Sequence, residues 1–518
     1  MQRLISRVTI FCVDRTESEK DAFIGSGATV SDNFQIGPVV NYISDDGTTL
    51  FAWNYIFYNM VTDVQIDESL KDLSKKAKVT FPLNKNYFSK NLNLYSTSSG
   101  IFRRNDRIVI ELGYYPNLRP VFNGYITKVH SVLPIVLECQ DSMYILMNRV
   151  VTFPVINASQ SQLDNFTPTQ KKAYEIYNAT TKTAVAEYSI NDLLNFILPY
   201  NKLIPDSELT TTNLSVLEYA DNNPPFSLKD SFIYSFDSSK NNQLLPFSFP
   251  KQDNIVIRNL QKATQIGNVR YSRMTVAKIL DDLKQIGFFS YFVDISEEFG
   301  GNFNNTIPSA YAILPILNIG MLSDASFGTT SYAEFCGNII KDDTEYQLEK
   351  DVLLRVTCIN KNTKLLSNDP KYSTEVTVGD AEGAQKTYNF QNLTEDELIT
   401  RAKNILKSFK YTTLKGSITT FGDQFATDDF NKVRPLFVKP GDRLDISIAP
   451  GTTEFGNKNI EKVGVYQVAG VKRSFNKSGY RQIIEFGIKY SIDSVTGENT
   501  IKFNPNDITV QSSNAKKS

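Results

Sequence analysis

Two similar stretches decide the fold of this chain: NDRIVIEL (residues 105–112) and GDRLDISI (residues 441–448). Each begins with glycine or asparagine followed by aspartate, a pair that tolerates positive φ and bonds its own backbone in a tight turn. Each continues with apolar residues at every second position, the pattern of a half-buried strand. Both stretches therefore predict a turn that opens an antiparallel strand.

The strands that follow the two turns also correspond. VFNGYITKV (residues 121–129) and PIVLEC (residues 134–139) follow the first turn. VYQVAGVK (residues 465–472) and RQIIEF (residues 481–486) follow the second. The chain is therefore predicted to contain one β unit twice.

Glycines within these strands favour closure of each unit into a small barrel. Gly124 and Gly470 each lie inside the second strand of a unit. A mid-strand glycine permits a bulge or sharp coiling, which small closed barrels need. We therefore expect the two glycines to play the same part in the two units.

Helices are predicted beside the strands by capping signals and apolar periodicity. The clearest starts at the capping box of residues 394–397 and extends to residue 409. Another runs over residues 275–286, and a third is expected from the capping box that begins at residue 189. A short apolar helix, residues 143–147, is expected to close the first unit.

The predicted fold class is mainly β with minor α, with two tube-like antiparallel β-barrel domains plus an inserted loop-rich domain. Five segments are predicted. They are an N-terminal β segment (1–58), the first barrel (59–150), an inserted middle α+β domain (151–345), the second barrel with its packing helix (346–492) and a flexible C-terminal tail (493–518).

Composition excludes several classes of protein. The 518 residues exceed what one hydrophobic core usually serves, so several packed units are expected. Lys+Arg at 55 against Asp+Glu at 56 give a formal charge of −1, which creates no global field for nucleic acid or anionic lipid. The apolar stretch at residues 311–322 is too short for a membrane anchor, and residues 1–15 resemble a strand more than a signal peptide. We therefore expect synthesis in a cytoplasm.

No catalytic, cofactor-binding or metal-binding residue is predicted. His130 is the only histidine, which excludes multi-histidine metal sites, and its place at a strand end suggests a surface residue. The cysteines are scattered among apolar neighbours and are expected to be buried free thiols: Cys12, Cys139, Cys336 and Cys358. No phosphate-binding glycine loop is present in the sequence.

The paired units resemble the baseplate or tail hub proteins of bacteriophages, of the late-control type, and the related hubs of contractile injection systems. The resemblance rests on residues 106–141 for a first tube-like barrel and residues 438–486 for a second, preceded by a helix. It implies a homotrimer whose six barrels form a ring that joins a sixfold tail tube to a threefold spike. After residue 490 the family's glycine-rich β-helix is missing, and no lysozyme module is recognisable.

The same resemblance implies partners and a location. The partners are a ring of tail tube protein, a spike or tip protein, and other baseplate proteins. DNA is expected only as transient cargo in the lumen, without a cofactor. The implied location is the virion, with assembly in the host bacterial cytoplasm.

Two other classes of function stay open on the sequence. The aromatic cluster of residues 51–58, with Trp53 at its centre, could stack on sugar rings in a β-rich glycan-binding surface protein. Alternation of large aromatic residues more often indicates a buried strand or a subunit interface, and this is the favoured interpretation of that cluster. A hydrolase based on acidic pairs such as Asp45–Asp46 ranks last, because spacing in sequence cannot show that two carboxylates converge.

Overall fold

Strands predominate in the part of the chain that the structure describes, so the predicted class, mainly β with minor α, is confirmed. The computed structural model describes residues 3–25, 34–36, 40–43, 49–82, 102–115, 117–130, 134–147, 150–153, 188–189, 203–204, 256–258, 265–267, 271–285, 288–295, 301–302, 314–321, 330–334, 339–346, 353–361, 373–379, 384–391, 393–409, 414–422, 425–428, 432–435, 438–447, 464–489 and 508–513.

The helices of the described residues are α1 (Glu17–Gly25), α2 (Met143–Met147), α3 (Val276–Gln285) and α4 (Glu395–Phe409). The strands as far as residue 153 are β1 (Leu4–Arg15), β2 (Phe34–Ile36), β3 (Val40–Ile43), β4 (Thr49–Tyr58), β5 (Asp63–Ser69), β6 (Lys76–Thr80), β7 (Arg107–Tyr114), β8 (Asn117–His130), β9 (Val136–Gln140) and β10 (Val150–Phe153).

The strands between residues 188 and 346 are β11 (Tyr188–Ser189), β12 (Leu203–Ile204), β13 (Val256–Arg258), β14 (Gln265–Gly267), β15 (Tyr271–Thr275), β16 (Phe288–Ile295), β17 (Gly301–Asn302), β18 (Leu314–Met321), β19 (Thr330–Glu334), β20 (Ile339–Asp342) and β21 (Glu345–Tyr346). The remaining strands are β22 (Leu353–Lys361), β23 (Ser373–Gly379), β24 (Ala384–Gln391), β25 (Leu414–Lys415), β26 (Ser417–Phe421), β27 (Phe425–Asp428), β28 (Lys432–Pro435), β29 (Arg443–Ser447), β30 (Gly464–Asn476), β31 (Gly479–Lys489) and β32 (Ile508–Ser513).

Three predicted helices are confirmed as α2, α3 and α4. At α4 the Thr394 hydroxyl donates to the Glu397 carboxylate at 2.9 Å, and the Thr394 main-chain N–H donates to it at 2.8 Å. At α3 the Thr275 hydroxyl accepts from the N–H of Lys278 at 3.2 Å. These contacts satisfy main-chain donors at the two helix starts.

The helix predicted after the capping box at residue 189 lies outside the described residues, apart from the capping residue itself. Ser189 belongs to β11, which pairs with β14, and such an extended backbone is also what a helix-capping residue adopts.

One sheet of sixteen strands runs through both predicted barrels. Its strand order is β2-β4-β1-β7-β8-β9-β6-β5-β30-β31-β26-β20, and β3, β17, β19 and β29 join it beside this path. The two predicted barrels are therefore connected through hydrogen-bonded strands, β5 and β30.

Two apolar cores lie against this sheet. The larger core is formed by strands β1 and β4–β9 and contains Val8, Phe57 and Ile110. The smaller core is formed by strands β26 and β29–β31 and contains Leu444 and Ile484. Alternation along each strand places these side chains on one face, as the sequence pattern predicts.

A separate four-stranded sheet, β24-β22-β23-β32, carries α4 on one face. Val356 and Val376 of the sheet pack with Leu398 and Ile405 of the helix. The sequence did not separate this unit from the second barrel.

Residues 508–513 fall in the segment that was predicted to be a flexible tail, and that prediction is wrong for them. They form β32, which pairs with β23 from Ser373↔Ser513 to Val378↔Ile508. The main-chain hydrogen bonds of an antiparallel ladder stabilise this segment although its own apolar content is low.

The middle of the chain contributes a third sheet, in which strands β12, β13 and β18 are parallel and β16 is antiparallel to β18. The apolar stripe of α3 is buried, with Val276, Ile279 and Leu280 each at most 1% exposed. The predicted helix-then-strand order of α3 and β16 is confirmed.

Candidate assembly site

The two halves of the large sheet repeat one strand order. We call β5–β9 the first module, and β20, β26, β29, β30 and β31 the second module. Hydrogen-bonded neighbours run β5-β6-β9-β8-β7 in the first module and β20-β26-β31-β30-β29 in the second. Every neighbouring pair is antiparallel in both modules. The strands therefore occur in the same spatial and chain order twice, as the paired sequence stretches predict.

The first module's turn is built on Asn105, whose φ is 76°. The N–H of Asn105 donates to the carbonyl of Ile126 at 2.8 Å. The N–H of Ile126 in turn donates to the carbonyl of Asp106 at 2.9 Å. Asparagine is one of the few residues that adopt this left-handed conformation readily.

The second module's turn repeats these bonds. Gly441 has a φ of 91°, and its N–H donates to the carbonyl of Val468 at 2.8 Å. The N–H of Val468 donates to the carbonyl of Asp442 at 2.9 Å. Asn105 therefore corresponds to Gly441, and the requirement for positive φ explains why asparagine and glycine occupy this position.

A bulge follows at the same place in each module. The register of β8 against β9 shifts between Ile126 and Lys128, and that of β30 against β31 shifts between Val468 and Gly470. Ladder pairing resumes opposite a glutamate in both cases, with Lys128↔Glu138 and Gly470↔Glu485. Lys128 thus corresponds to Gly470, and residues 128–130 correspond to residues 470–472.

The only histidine supports this correspondence. His130 Nε2 lies 2.6 Å from Glu138 Oε1, and Lys472 Nζ, at the corresponding position, lies 2.7 Å from Glu485 Oε1. The His130 side chain is 39% exposed at the end of β8, so the predicted surface role is confirmed. One cross-strand contact between a basic and an acidic residue has been kept in both modules.

The expected equivalence of the two mid-strand glycines is wrong. A Cβ at Gly124 would lie 2.1 Å from the carbonyl oxygen of Gln140, so this position requires glycine because two backbones approach closely. Gly470 borders the bulge of β30 and corresponds to Lys128. Gly124 precedes the bulge of its strand and Gly470 follows the bulge of its own strand, so the two glycines occupy different positions.

The modules are joined edge to edge. β5 of the first module pairs antiparallel with the second half of β30, from Ser69↔Gly470 to Asp63↔Asn476. The N–H of Leu70 extends this ladder by donating to the carbonyl of Ala469 at 2.9 Å. We call this seam of β5 and β30 the joint.

Buried charges lie on the inner side of the joint. The Glu68 carboxylate on β5 forms ion pairs with Arg473 on β30 and, at 3.7 Å, with Lys75. The three side chains are at most 6% exposed. The Arg473 guanidinium also donates to the carbonyl of Val438. Removal of any one partner would leave a charge buried without compensation, so these side chains depend on the pairing of β5 with β30.

Aromatic side chains extend the joint. Tyr480, beside the β30–β31 hairpin turn, lies in the core of the first module together with Phe475. The ring centroids of Tyr114 and Tyr480 are 6.2 Å apart, and the Tyr114 hydroxyl donates to the carbonyl of Tyr480 at 3.3 Å. The tip of one module is therefore inserted in the core of the other.

The outer side of the joint is polar and contains both charge signs. A shallow depression there is lined by side chains of β5, β6, β9 and β30, among them Asp67, Lys76, Lys78, Glu138 and Lys472. Asp67 lies opposite Lys472 in the ladder. The paired charges produce no strong field of one sign at this surface.

Each turn buries its aspartate. Burial raises the pKa of Asp106 to about 7, opposed by the Arg15 guanidinium, which contacts its carboxylate at 2.6 and 2.8 Å. Burial likewise raises the pKa of Asp442 to about 7, opposed by the main-chain N–H of Lys439 at 2.8 Å. The carboxylate of Asp106 is thus stabilised by a guanidinium, whereas that of Asp442 is stabilised mainly by a main-chain N–H.

Because the pKa of Asp442 is raised, we expect the stability of the fold to depend on pH at this site, and the substitution Asp442→Asn should remove that dependence. The pKa of an unfolded aspartate is about 3.9, so between about pH 4 and pH 7 the folded chain binds more protons at this site. Its contribution to stability is complete below that window and is lost as the pH rises through about 7. The free energy of unfolding of the variant relative to wild type should rise across the window, by up to about 1.4 kcal/mol per pH unit, and then level off. Urea denaturation at several pH values measures this difference, and a flat difference would show that Asp442 does not titrate in this window.

The aromatic cluster considered for glycan binding is a core strand. Trp53 is 5% exposed, and Phe51, Tyr55 and Phe57 of the same strand are also buried. Their rings cannot stack on a sugar from solvent in this fold. The glycan-binding alternative is therefore not supported.

The other sequence expectations concern thiols, metals and membrane spans. Cys12, Cys139 and Cys358 are free and buried as predicted, and Cys336 lies outside the described residues. Burial raises the pKa of Cys358 to about 12. In the described ranges no three histidine, cysteine or acidic side chains gather as a metal site. Among the helices that the structure describes, none has the length and apolarity to cross a membrane.

Comparisons with known proteins gave structural matches only, since no protein-family model and no curated protein matches the sequence. A tail protein from Neisseria meningitidis is 10% identical, with a TM-score of 0.44, and the match covers 90% of this chain and 99% of that one. A prophage tail protein from Shewanella oneidensis is 11% identical, with a TM-score of 0.42, and covers 88% and 98%.

A third match is a component of the type VI secretion system of E. coli, described as structurally similar to T4 bacteriophage tail proteins. It is 8% identical, with a TM-score of 0.37, and the match covers 89% of this chain and 77% of that one.

Proposed function

We propose that the chain is the structural hub of a phage tail or baseplate, in which three copies form a ring of six modules. The observation that carries the proposal is the repeated module: one strand order, one turn and one bulge occur twice and are joined through the β5–β30 ladder. Such a ring has threefold symmetry as a whole and nearly sixfold symmetry in its modules. It can therefore match a sixfold tail tube on one side and a threefold spike on the other.

A closed ring also accounts for the open strand edges. A chain with two similar edge-pairing modules presents an exposed edge at each end of the pair. An exposed strand edge promotes uncontrolled association unless it is covered or paired. Three chains that close on themselves pair all such edges.

The contact between β1 and the first module suits a rigid scaffold. The Arg7 guanidinium contacts the Glu111 carboxylate at 2.5 and 2.6 Å, with both side chains fully buried. The Arg15–Asp106 pair is almost as deeply buried. In each pair the basic side chain of β1 binds an acidic side chain in or next to β7, which fixes the relative positions of the two strands. These charged groups therefore have a structural role in the proposed hub, and no residue is assigned to catalysis.

The partners follow from the position of such a hub. A ring of tail tube protein would sit on one side and a spike or tip protein on the other, with other baseplate proteins outside. The genome would pass through the lumen as transient cargo, and a chain with a formal net charge of −1 would exert no strong overall attraction on it. The proposed location is the virion tail, after assembly in the cytoplasm of the bacterial host.

The oligomeric state tests the proposal. Size-exclusion chromatography with light scattering should give three times the 58.5 kDa mass of one chain. Dilution should convert this particle directly to single chains, because a ring of identical joints opens cooperatively. A chain that stays monomeric at all concentrations, or forms a stable dimer, would contradict the proposal.

A further inference from the structure

One edge of the large sheet has no neighbour within the described residues. The strand path ends at β20, which pairs on one side with β26. Ile340 at this edge is 40% exposed, one of few large apolar side chains in the described residues to reach solvent to that extent. In the first module the corresponding strand is β5, and β5 is covered by β30.

A second stretch of edge lies in β8. In the second module, β30 continues beyond Val468, the residue bonded to the Gly441 turn, and its residues 470–476 pair with β5. In the first module, β8 continues beyond Ile126, the residue bonded to the Asn105 turn, and its residues 128–130 correspond to residues 470–472. Along the described chain these β8 residues pair with β9, and no strand lies on their other side. Within the described residues, the repeat therefore leaves one unpaired half of a joint on each module: the end of β8 on the first and β20 on the second.

We propose that these halves meet between chains: β20 and its continuation β21 of one chain pair antiparallel with the end of β8 of a second copy, in the register of the β5–β30 joint. The proposal rests on the proposed function and adds the surface and the register of the subunit contact. The intrachain joint is the template, because two modules with the same strands present the same edges. The added ladder would extend the sixteen-stranded sheet from one chain into the next.

The register follows in two steps from pairs within the chain. Lys472 lies opposite Asp67 in the joint, and Lys472 corresponds to His130. Asp67 pairs with Lys76 in the first module, and residue 345 pairs with residue 415 at the corresponding place in the second. His130 of one chain is therefore predicted to lie opposite residue 345 of its neighbour.

The second step needs the correspondence of β5 with β20 and β21. Val79 pairs with Leu137 in the first module, and Ile418 pairs with Ile484 in the second. Leu137 and Ile484 each precede the glutamate that faces the bulge, so Val79 corresponds to Ile418. Counting back three residues along β6 and through β26 to β25 makes Lys76 correspond to residue 415.

Cysteine cross-linking tests the register. Opposed residues in an antiparallel ladder have Cα atoms about 4.5 to 5.5 Å apart, within the range of a disulfide. The double variant His130→Cys with Glu345→Cys should therefore form a covalent trimer under mild oxidation, seen by denaturing electrophoresis without reductant. An equal mixture of the two single variants should give covalent dimers. Each single variant alone should stay at the mass of one chain.

The intrachain joint provides a matched control. Lys472→Cys with Asp67→Cys occupies the corresponding positions and should form a disulfide within one chain, so its mass should stay that of a monomer. His130→Cys with Lys341→Cys is out of register, and it should form at least tenfold less covalent trimer than the in-register pair. This variant also reports whether contact at the edge is specific.

The outcomes separate this inference from the proposed function. A trimer by light scattering in which the 130–345 pair does not cross-link, although the 472–67 control does, overturns the register and leaves the ring intact. A monomer by light scattering overturns both. Equal cross-linking of the in-register and out-of-register pairs also overturns the register.

Discussion

Replacement of Glu68 with glutamine should lower the free energy of unfolding by about 3 to 5 kcal/mol. Glutamine keeps the shape of the side chain but removes its charge. The Arg473 guanidinium, which is fully buried, would then keep its charge beside a neutral amide. Lys75, also buried, would lose the same counter-ion. Because the two modules meet at this cluster, the loss should appear in the midpoint of guanidinium or urea denaturation of the whole chain.

An exposed ion pair between β30 and β31 serves as the control. Lys472, next to Arg473, contacts Glu485 on the outer face, with the two side chains 50% and 37% exposed. Glu485→Gln should change the free energy of unfolding by less than about 1 kcal/mol. Comparable losses for Glu68→Gln and Glu485→Gln would show that the inner cluster does not stabilise the joint.

Replacement of Gly124 with alanine should lower the free energy of unfolding by about 3 kcal/mol, the upper range for forcing atoms into a packed interior. The added Cβ would lie 2.1 Å from the carbonyl oxygen and 2.8 Å from the carbonyl carbon of Gln140. Those atoms belong to the backbone of β9, so relief requires the separation of β8 from β9. Thermal and denaturant unfolding of the purified variant measure the loss.

Gly470→Ala is the matched control for this variant. Gly470 lies in the equivalent strand of the second module, and a Cβ there would meet its nearest atom, the carbonyl oxygen of Glu68, at 3.2 Å. A shift of a few tenths of an ångström relieves that contact, so we expect a loss of about 1 kcal/mol. A larger loss at Gly470 than at Gly124 would contradict the assignment of close backbone approach to the first module.

Local signals predicted much of this fold. The turns at Asn105 and Gly441 and the capping box at Thr394 each depend on residues close in sequence. Their backbone conformations are set by steric limits on φ and by side-chain caps. The pattern of β7 predicted a half-buried strand, but its first seven residues are all buried, so both of its faces are covered. The repeated module could be predicted because both copies retained these signals.

Pairing between distant strands could not be predicted in the same way. The β5–β30 joint connects residues 63–69 with residues 470–476, and neither segment carries a signal that specifies its partner. The cluster of Glu68 and Arg473 was therefore missed, since each charge appears unremarkable in its own strand. The comparison of Gly124 with Gly470 was wrong because glycine occurs at different places in the two strands, before the bulge in β8 and after it in β30.

The strand β32 was missed for a related reason. Residues 508–513 contain few apolar side chains and suggested a mobile end to the chain. Their partner is the edge of β23, which supplies a ready row of main-chain hydrogen bonds. Addition at a sheet edge depends on the neighbour more than on the added segment.

The relative orientation of the two modules in the assembled particle tests the central claim most directly. A reconstruction by electron cryomicroscopy should show three chains around one axis, with the first and second modules of each chain related by a rotation of about 60° about that axis. Six similar densities would then surround one lumen. A particle in which the two modules lie at different radii, or in which their rotation does not divide the circle into six, would contradict the account.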